Sequence, residues 1–120
     1  MTPTVMRQEL ANGAVCIAPE GRLDTFTVPA FEAALSEQLD SGRLRLIVSL
    51  ANVTYVSSSG LRALLSARRR ARSGGGDVVL CNMAPRVREI FEMVGFVSLF
   101  NIFASAQEAV NSLRVETTRS

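Results

Sequence analysis

Three consecutive serines, Ser57, Ser58 and Ser59, lie in the middle of the chain, two positions before the first residue of a leucine-rich segment. Leucines at helical spacing begin at Leu61, so the sequence predicts that the hydroxyls lie at the start of a helix. Free backbone N–H groups and the positive end of the helix dipole meet there, and both stabilise a phosphate group. Arg62 lies about one turn further along the same helix. The chemistry indicated is the acceptance of a phosphate.

Serine is also among the best N-cap residues, so the cluster has an ordinary structural explanation in which one hydroxyl caps the helix. Gly60 removes side-chain bulk beside the hydroxyls, so the active site of another protein could approach closely. The chain has no histidine and no Gly-x-Ser-x-Gly segment, and Ser58 therefore has no evident general base. We expect a binding protein rather than an enzyme.

The composition is typical of one globular domain. The chain has 120 residues, 48% of them apolar, and a net charge of +2, which is too small to imply a polyanionic partner. Cys16 and Cys81 lie in apolar segments, which indicates buried thiols in a reducing compartment. We expect no metal and no cofactor. No signal peptide and no membrane-spanning segment is recognisable, so we expect a cytoplasmic protein.

Arg68, Arg69, Arg70 and Arg72 form the densest run of charge. Such a run could contact nucleic acid or an acidic partner, but cations also favour the C-terminal end of a helix. Because aromatic residues are not interleaved with the arginines and the net charge is small, we expect no direct binding of nucleic acid. The glycines at 74–76 lack the Lys-Ser/Thr of a phosphate-binding loop and are interpreted as a turn.

Strand and helix patterns alternate along the chain, which predicts βαβ units and a largely parallel sheet. The Asn-Gly turn at 12–13 predicts a hairpin and hence an antiparallel start. Strands are predicted at 4–10, 14–18, 44–50 and 78–81, with an edge strand around 99–102. Helices are predicted after Thr27, after the serines, after Asn82 and after Ser105, and residues 21–24 and 51–56 are predicted to be loops. The predicted fold is α/β, with a mixed sheet of four to five strands.

Three segments carry a resemblance to a known family. Residues 53–61, Val-Thr-Tyr-Val-Ser-Ser-Ser-Gly-Leu, resemble the signature of STAS domains, the anti-sigma factor antagonist family, in which Asp-Ser-Ser/Thr-Gly-Leu begins a helix. Residues 21–24 are similar to the Gly-x-Leu-Asp loop of that family, and 84–95 to its Ser/Ala-Pro-x-Val helix that ends in glycine. The order and spacing of the segments extend the resemblance over nearly the whole chain, with helices packed mainly on one face of the sheet. We assign residues 1–113 to this domain and 114–120 to a polar tail.

The resemblance implies a partner-switching function. In that family the serine after the motif's aspartate is phosphorylated by an anti-sigma factor serine kinase; the unmodified protein binds the kinase, and a phosphoserine phosphatase resets it. Carried over to this chain, the phosphorylated residue is Ser58, and Ser57 replaces the aspartate. The implied partner-binding residues around it are Asp24, Ser57, Ser59, Gly60, Leu61 and Arg62.

Two alternatives remain open at this level. Asp24 could cap the helix that begins near Thr27, or it could stand beside Ser58 as part of a partner-binding surface. The whole chain could also be a constitutive subunit of a multiprotein assembly, such as a lipid-transport complex. In that case the helix after Ser58 would be a permanent docking face, and phosphorylation would not change binding.

Overall fold

The computed structural model describes residues 5–113. The strands are β1 Val5–Glu9, β2 Val15–Leu23, β3 Arg45–Ser49, β4 Asn52–Val56, β5 Asp77–Cys81 and β6 Ile102–Phe103. The helices are α1 Val28–Asp40, α2 Ser58–Ser73, α3 Pro85–Met93 and α4 Ala106–Ser112, and 3-10 turns span Ala11–Gly13 and Val97–Leu99. The predicted polar tail at 114–120 lies outside the described residues.

The sheet has the order β1-β2-β3-β5-β6, and β4 pairs with the second half of β2. Only β1 is antiparallel within this sheet, because Asn12 and Gly13 adopt positive φ and return the chain onto β2. The remaining pairs are parallel, and each is joined by a crossover that contains at least one helix. The predicted mixed α/β sheet with an antiparallel start is confirmed.

Alternate residues of the central strands enter two separate cores, one on each face of the sheet. In β3, Leu46 and Val48 face the side covered by α1, α2 and α3, whereas Ile47 faces α4. Fully buried aromatic residues of α1 and α3, Phe31 and Phe91, fill the larger core. Three helices therefore cover one face and one short helix covers the other, which confirms the predicted one-sided packing.

The predicted number of four to five strands is wrong: the described residues form six. The strand that was missed is β4, in the segment 51–56 that was predicted to be a loop. Gly21 pairs with Val53 but Arg22 pairs with Tyr55, so Thr54 is an extra residue that bulges from the ladder. The bulge breaks the alternation of buried and exposed residues, and alternation is the signal by which a strand is recognised in a sequence.

Three further boundaries differ from the sequence predictions. Residues 21–23 continue β2 instead of starting a loop, because β4 pairs with them. Asn82 does not cap α3: Ala84 is its N-cap residue, and the Asn82 side chain instead donates a hydrogen bond to the Ser49 hydroxyl at 3.4 Å. The edge strand predicted around 99–102 begins later, at Ile102, after the 3-10 turn Val97–Leu99.

Candidate functional site

The site begins where β4 passes into α2 at the carboxyl end of the parallel strands. Val56 at the end of β4 pairs with Leu23 at the end of β2, and the next residue, Ser57, donates its backbone N–H to the Leu23 carbonyl oxygen at 2.8 Å. The start of α2 is thereby fixed to the end of β2. Open α/β sheets commonly bind their ligands at this edge.

Ser57 is the N-cap residue of α2. Its backbone is extended, and its Oγ accepts a hydrogen bond from the Gly60 N–H at 3.4 Å. The Oγ atoms of Ser57 and Ser59 also lie 2.8 Å apart, within hydrogen-bonding distance. The hydroxyls of Ser57 and Ser59 are thus both hydrogen-bonded at the start of the helix. Ser57 is the serine that caps the helix, as one member of the cluster was predicted to do.

Ser58 is the first residue of the helix and its side chain is exposed. Within residues 5–113, no hydrogen bond involves its hydroxyl, in contrast to its two neighbours. The hydroxyl therefore projects into solvent at the end of the helix where unpaired N–H groups gather. Among the three serines, Ser58 is the one whose oxygen is open to a reacting group.

Gly60 and Leu61 support the site from beneath. A Cβ atom at position 60 would lie 2.9 Å from Val56 Cγ1 and 3.2 Å from the Leu23 carbonyl oxygen. Gly60 is therefore needed for the close packing of α2 on the strand ends. Leu61 is only 5% exposed and belongs to the core. Both residues are buried and support the surface from within, and their contact with a partner stays a prediction.

Asp24 lies in the turn between β2 and α1, beside the start of α2. Its Oδ1 accepts hydrogen bonds from the N–H groups of Phe26 at 3.0 Å and Thr27 at 3.3 Å. Arg22 Nε lies 3.6 Å from the other carboxylate oxygen. The Thr27 side chain does not cap α1; its hydroxyl donates instead to the Arg22 carbonyl oxygen at 2.6 Å. Asp24 thus orders the turn before α1 and does not cap the helix, whose first residue is Val28. Its side chain is half-buried, and its part in a partner-binding surface stays a prediction.

Two exposed aromatic residues of this edge were not singled out from the sequence. Phe26, at the tip of the turn, is 89% exposed. Tyr55 lies on β4, and the Arg22 guanidinium stacks over its ring at 4.3 Å from the centroid. A signal for Phe26 existed in the sequence: it precedes the helical stripe that starts at Val28 and is flanked by threonines. An aromatic residue that lies outside the apolar faces of the predicted helices and strands is expected to stay exposed.

Arg62 lines an open groove of about 390 Å³ between the beginnings of α1 and α2. Ser59, Thr25 and Glu32 also line this groove. Arg62 is exposed and forms no ion pair among the described residues. Because it follows Ser58 by four positions, its side chain lies on the same face of the helix.

The arginine run at the other end of α2 is mostly paired. Arg68 Nε lies 3.3 Å and Arg72 Nη1 3.6 Å from the two carboxylate oxygens of Asp77, while Arg70 Nη2 lies 2.6 Å from Asp40 Oδ1. These contacts tie the end of the helix to β5 and α1. They favour the structural interpretation of the run over an open surface for nucleic acid.

Both cysteines are buried under α4, on the face of the sheet opposite to the large core. Burial raises the pKa of the Cys16 thiol. Burial, with a smaller contribution from Cys16, raises the pKa of the Cys81 thiol to about 11. Because the thiolate is the reactive form, neither side chain is suited to act as a nucleophile near neutral pH.

Residues 5–113 contain neither a membrane-spanning helix nor a metal-binding cluster. No helix there combines the length and apolar character needed to cross a bilayer. The described side chains also contain no cluster of three or more histidine, cysteine, aspartate or glutamate residues that could hold a metal ion.

The fold and the serine motif match a known family. The STAS domain model matches residues 6–109, so the chain belongs to the STAS domain family. Over 108 residues it is 32% identical to a Bordetella bronchiseptica protein named as the anti-sigma factor antagonist BtrV, covering 90% of this chain and 93% of that one. It is also 27% identical over 82 residues to the anti-sigma-B factor antagonist of Staphylococcus aureus, covering 68% and 76% of the two chains.

Solved structures show the same fold at lower identity. An anti-sigma factor antagonist from Mycobacterium paratuberculosis superposes with a TM-score of 0.84 at 20% identity, covering 95% of this chain and 96% of that one. The phosphorylated form of the Bacillus cell fate determinant SpoIIAA gives a TM-score of 0.72 at 23% identity, covering 92% and 100%. The predicted membership of the STAS family is confirmed.

Proposed function

We propose that this chain is an anti-sigma factor antagonist that binds an anti-sigma factor serine kinase and is released when that kinase phosphorylates Ser58. The observation that carries the proposal is the exposed, unbonded hydroxyl of Ser58 at the first position of α2, between two serines whose hydroxyls bond each other. The names of relatives at 32% and 27% identity support the same function.

The local structure can take up a phosphate at Ser58 without refolding. A phosphoserine adds about 1.5 to 2 negative charges and three acceptor oxygens. At the first position of a helix this charge meets unpaired N–H groups and the positive end of the dipole. Arg62, four residues further on, is exposed and offers a guanidinium that pairs well with phosphate oxygens. The modification therefore changes the surface and leaves the fold intact.

The surface offered to the kinase combines groups from two neighbouring elements. The turn after β2 contributes Asp24 and the exposed ring of Phe26, and the start of α2 contributes Ser58 and Arg62. An exposed aromatic ring flanked by polar groups is typical of the centre of a protein interface. A phosphate placed beside it would repel acidic groups of the partner and prevent close contact, which accounts for release.

The proposal assigns the chemistry to the partners and not to this chain. Within the described residues the Ser58 hydroxyl has no hydrogen-bonded base, so it is suited to receive a phosphoryl group in the active site of a kinase. A phosphoserine phosphatase would return the chain to its binding form. We place this cycle in the cytoplasm, and no nucleic acid takes part directly.

The test uses the purified chain, its candidate kinase and ATP, with the phosphate located by mass spectrometry. Ser58→Ala should abolish incorporation, whereas Ser57→Ala and Ser59→Ala, which delete the same atom from the neighbouring residues, should retain it. Ser58→Glu should weaken binding to the kinase at least about tenfold, because a buried unpaired charge at an interface costs more than 1.4 kcal/mol.

Two outcomes would contradict the proposal. Phosphate found only on Ser57 or Ser59 would show that the wrong hydroxyl has been assigned. Equal binding of the kinase by wild type and Ser58→Glu would show that charge at this position is not a switch. That second result would favour the constitutive assembly subunit, in which the start of α2 is a permanent docking face.

A further inference from the structure

A cleft of about 240 Å³ lies at the amino ends of β3 and β5, at the opposite end of the sheet from Ser58. Three turns surround it: the β1–β2 hairpin, the connection from α1 to β3 and the connection from α2 to β5. Its lining residues are Gly13, Gly42, Arg43, Leu44, Arg45, Gly74, Gly75 and Gly76. Among the residues that the structure describes, two charged side chains line it, both arginines, and no carboxylate does.

The cleft owes its shape to glycines that let the turns approach each other. A Cβ atom at Gly76 would collide with the Leu44 carbonyl oxygen, and one at Gly74 would lie 2.5 Å from Leu44 Cδ1. The N–H groups of both glycines already donate to the Ala71 carbonyl oxygen. The backbone thus forms the walls of the cleft, and the donors available to a ligand belong to the arginine side chains.

Arg45 has unused hydrogen-bonding capacity. One of its terminal nitrogens donates to the Asn12 carbonyl oxygen, but its Nε is buried and has no hydrogen-bond partner among the described residues. It forms no ion pair with any carboxylate there. The buried Nε of Arg68 differs, because Asp77 Oδ1 lies 3.3 Å away. Only the Nε atom is buried; the Arg45 side chain as a whole is partly exposed, so its terminal nitrogens are the donors that an ion in the cleft could reach.

Arg43 adds a second cation at the rim. Its Nη1 lies 2.6 Å from Glu9 Oε2, and the same oxygen accepts from Arg7 at 2.9 Å. These contacts hold the pKa of Glu9 below its usual value, with the hydrogen bond from Arg7 the largest cause. One carboxylate thus faces two guanidinium groups, and the rim of the cleft keeps a net positive charge.

The whole end of the molecule is basic. Within the described residues, the arginines that line the cleft or form ion pairs around it number six and the carboxylates paired with them number three, an excess of three positive charges, while the complete chain has a net charge of only +2. The arginines are Arg7, Arg43, Arg45, Arg68, Arg70 and Arg72, and the carboxylates are Glu9, Asp40 and Asp77. An anion entering the cleft is therefore attracted from outside as well as held within.

We propose that this cleft binds a tetrahedral oxyanion, phosphate or sulfate, either free or as the terminal group of a small metabolite, with Arg45 as its principal ligand and Arg43 at the rim. The planar fork of a guanidinium matches two oxygens of such an ion. The cleft is smaller than the usual pocket for an organic ligand, which fits a single phosphate group. This site does not depend on the proposed partner-switching function.

The test is a titration followed by two-dimensional amide NMR and by thermal unfolding, with inorganic phosphate, sulfate and glycerol 3-phosphate as separate probes. Potassium chloride at matched ionic strength controls for screening. Phosphate should shift the amide signals of Gly13, Gly42, Gly75 and Gly76 and raise the melting temperature, and chloride should do neither. Tighter binding of inorganic phosphate would identify the free ion, and tighter binding of glycerol 3-phosphate a terminal phosphate group.

Matched variants distinguish binding of phosphate in the cleft from a general attraction to the positive charge of the protein. Arg45→Gln should weaken phosphate binding about tenfold or more, and Arg45→Lys should restore it only partly, because an ammonium lacks the fork. Arg69→Gln removes the same charge from an exposed helix position and should leave the affinity within about twofold. If Arg45→Gln does not fold, Arg43→Gln, which weakens the rim, takes its place with a smaller expected loss. The proposal would be contradicted if Arg45→Gln and Arg69→Gln bound phosphate with equal affinity, or if chloride and phosphate had equal effects.

Discussion

The two ends of helix α2 use their polar side chains in opposite ways. At the C-terminal end, three arginines are held by Asp77 and Asp40, and the contacts link the helix to β5 and α1. At the N-terminal end, the side chains of Ser58 and Arg62 are exposed and form no hydrogen bond or ion pair within residues 5–113, although the backbone around them is fixed to β2.

This difference separates residues that maintain the fold from residues that are free to meet another molecule. A charged pair satisfied within the chain offers little to a partner, whereas an unpaired hydroxyl and an unpaired guanidinium on a rigid frame can bind without reorganisation. Density of charge in the sequence is therefore a poor guide to function here. The arginine-rich C-terminal end of α2 stabilises the fold, and the N-terminal end, which has few charges, carries the candidate site.

The largest expected effect is on the free energy of unfolding and tests how tightly the N-terminal end of α2 packs on the strands beneath it. Gly60→Val should lower the free energy of unfolding by about 3 kcal/mol, because the new side chain would overlap Val56 and the Leu23 carbonyl oxygen. Gly60→Ala should cost less. Ser66→Val, at an exposed position of the same helix, provides the control and should cost about 0.5 kcal/mol or less. Urea unfolding measures all three, and a neutral Gly60→Val would show that the start of α2 is not tightly packed.

The next effect is a pH dependence of stability that comes from Cys81, whose thiol is buried whereas the hydroxyl of Ser58 is exposed. Because the pKa of Cys81 is raised from 9.0 to about 11 in the folded chain, its contribution to stability should be constant below pH 9 and be lost as the pH rises towards 11, since the unfolded chain ionises first. The expected loss is about 2 to 3 kcal/mol over those two units. The chain contains no lysine, so few other groups titrate in this interval.

Cys81→Ala supplies the control for the pH dependence. Its stability at pH 7 should be lower because of the cavity, but its slope between pH 9 and 11 should be smaller than that of the wild type. Some slope should remain, since burial also raises the pKa of Cys16. Chemical unfolding at half-unit steps of pH gives both slopes, and identical slopes would exclude Cys81 as the titrating group.

A smaller effect distinguishes the two carboxylates that anchor the arginine end. The side chain of Asp77 is 14% exposed and also accepts a hydrogen bond from the Val78 N–H at 2.8 Å, whereas that of Asp40 is 70% exposed. Asp77→Asn should therefore cost about 2 kcal/mol and Asp40→Asn about 0.5 kcal/mol or less. Equal costs, measured by urea unfolding at the same ionic strength, would mean that burial does not set the strength of these anchors.

Much of this arrangement was predictable from the sequence, since apolar periodicity and turn residues are local signals. The hairpin at Asn12, the alternation of strands and helices and the helix after the serines all follow from such signals. What could not be predicted depends on partners distant in the sequence. The strand β4 was hidden by the bulge at Thr54, and the inward packing of Gly60 requires knowledge of where Leu23 lies.

The candidate site was predictable as a motif but not as a geometry. The sequence placed Ser57, Ser58 and Ser59 at a helix start, yet it could not say which hydroxyl caps the helix and which is free. Which hydroxyl caps the helix depends on the backbone conformation of Ser57. This residue is extended, and its N–H is bonded to the Leu23 carbonyl oxygen of β2. The exposure of Phe26 had a signal in the sequence, its place outside the apolar stripe that starts at Val28, but its position beside the serines depends on the fold.

The smallest expected effects separate the capping serine from the free one. Ser57→Ala should lower the free energy of unfolding by about 1 kcal/mol, since it removes the hydroxyl that accepts from the Gly60 N–H. Ser58→Ala, one residue later, should change it by about 0.5 kcal/mol or less, because no bond is lost. A cost for Ser58→Ala as large as that for Ser57→Ala would mean that its hydroxyl takes part in the cap and is not free for modification.

Introducing carboxylates extends the same test to charge. Ser57→Asp should be about as stable as the wild type, because aspartate caps well and its charge favours the helix N-terminus. Ser58→Glu should also be tolerated there. The double variant places two negative charges side by side, so it should be less stable than either single variant, and the difference should grow as salt is lowered. Urea unfolding at two ionic strengths measures this coupling directly. If the double variant is as stable as Ser58→Glu at low salt, then repulsion does not act between these positions, and the serine that replaces the family's aspartate has no electrostatic consequence for a phosphate at Ser58.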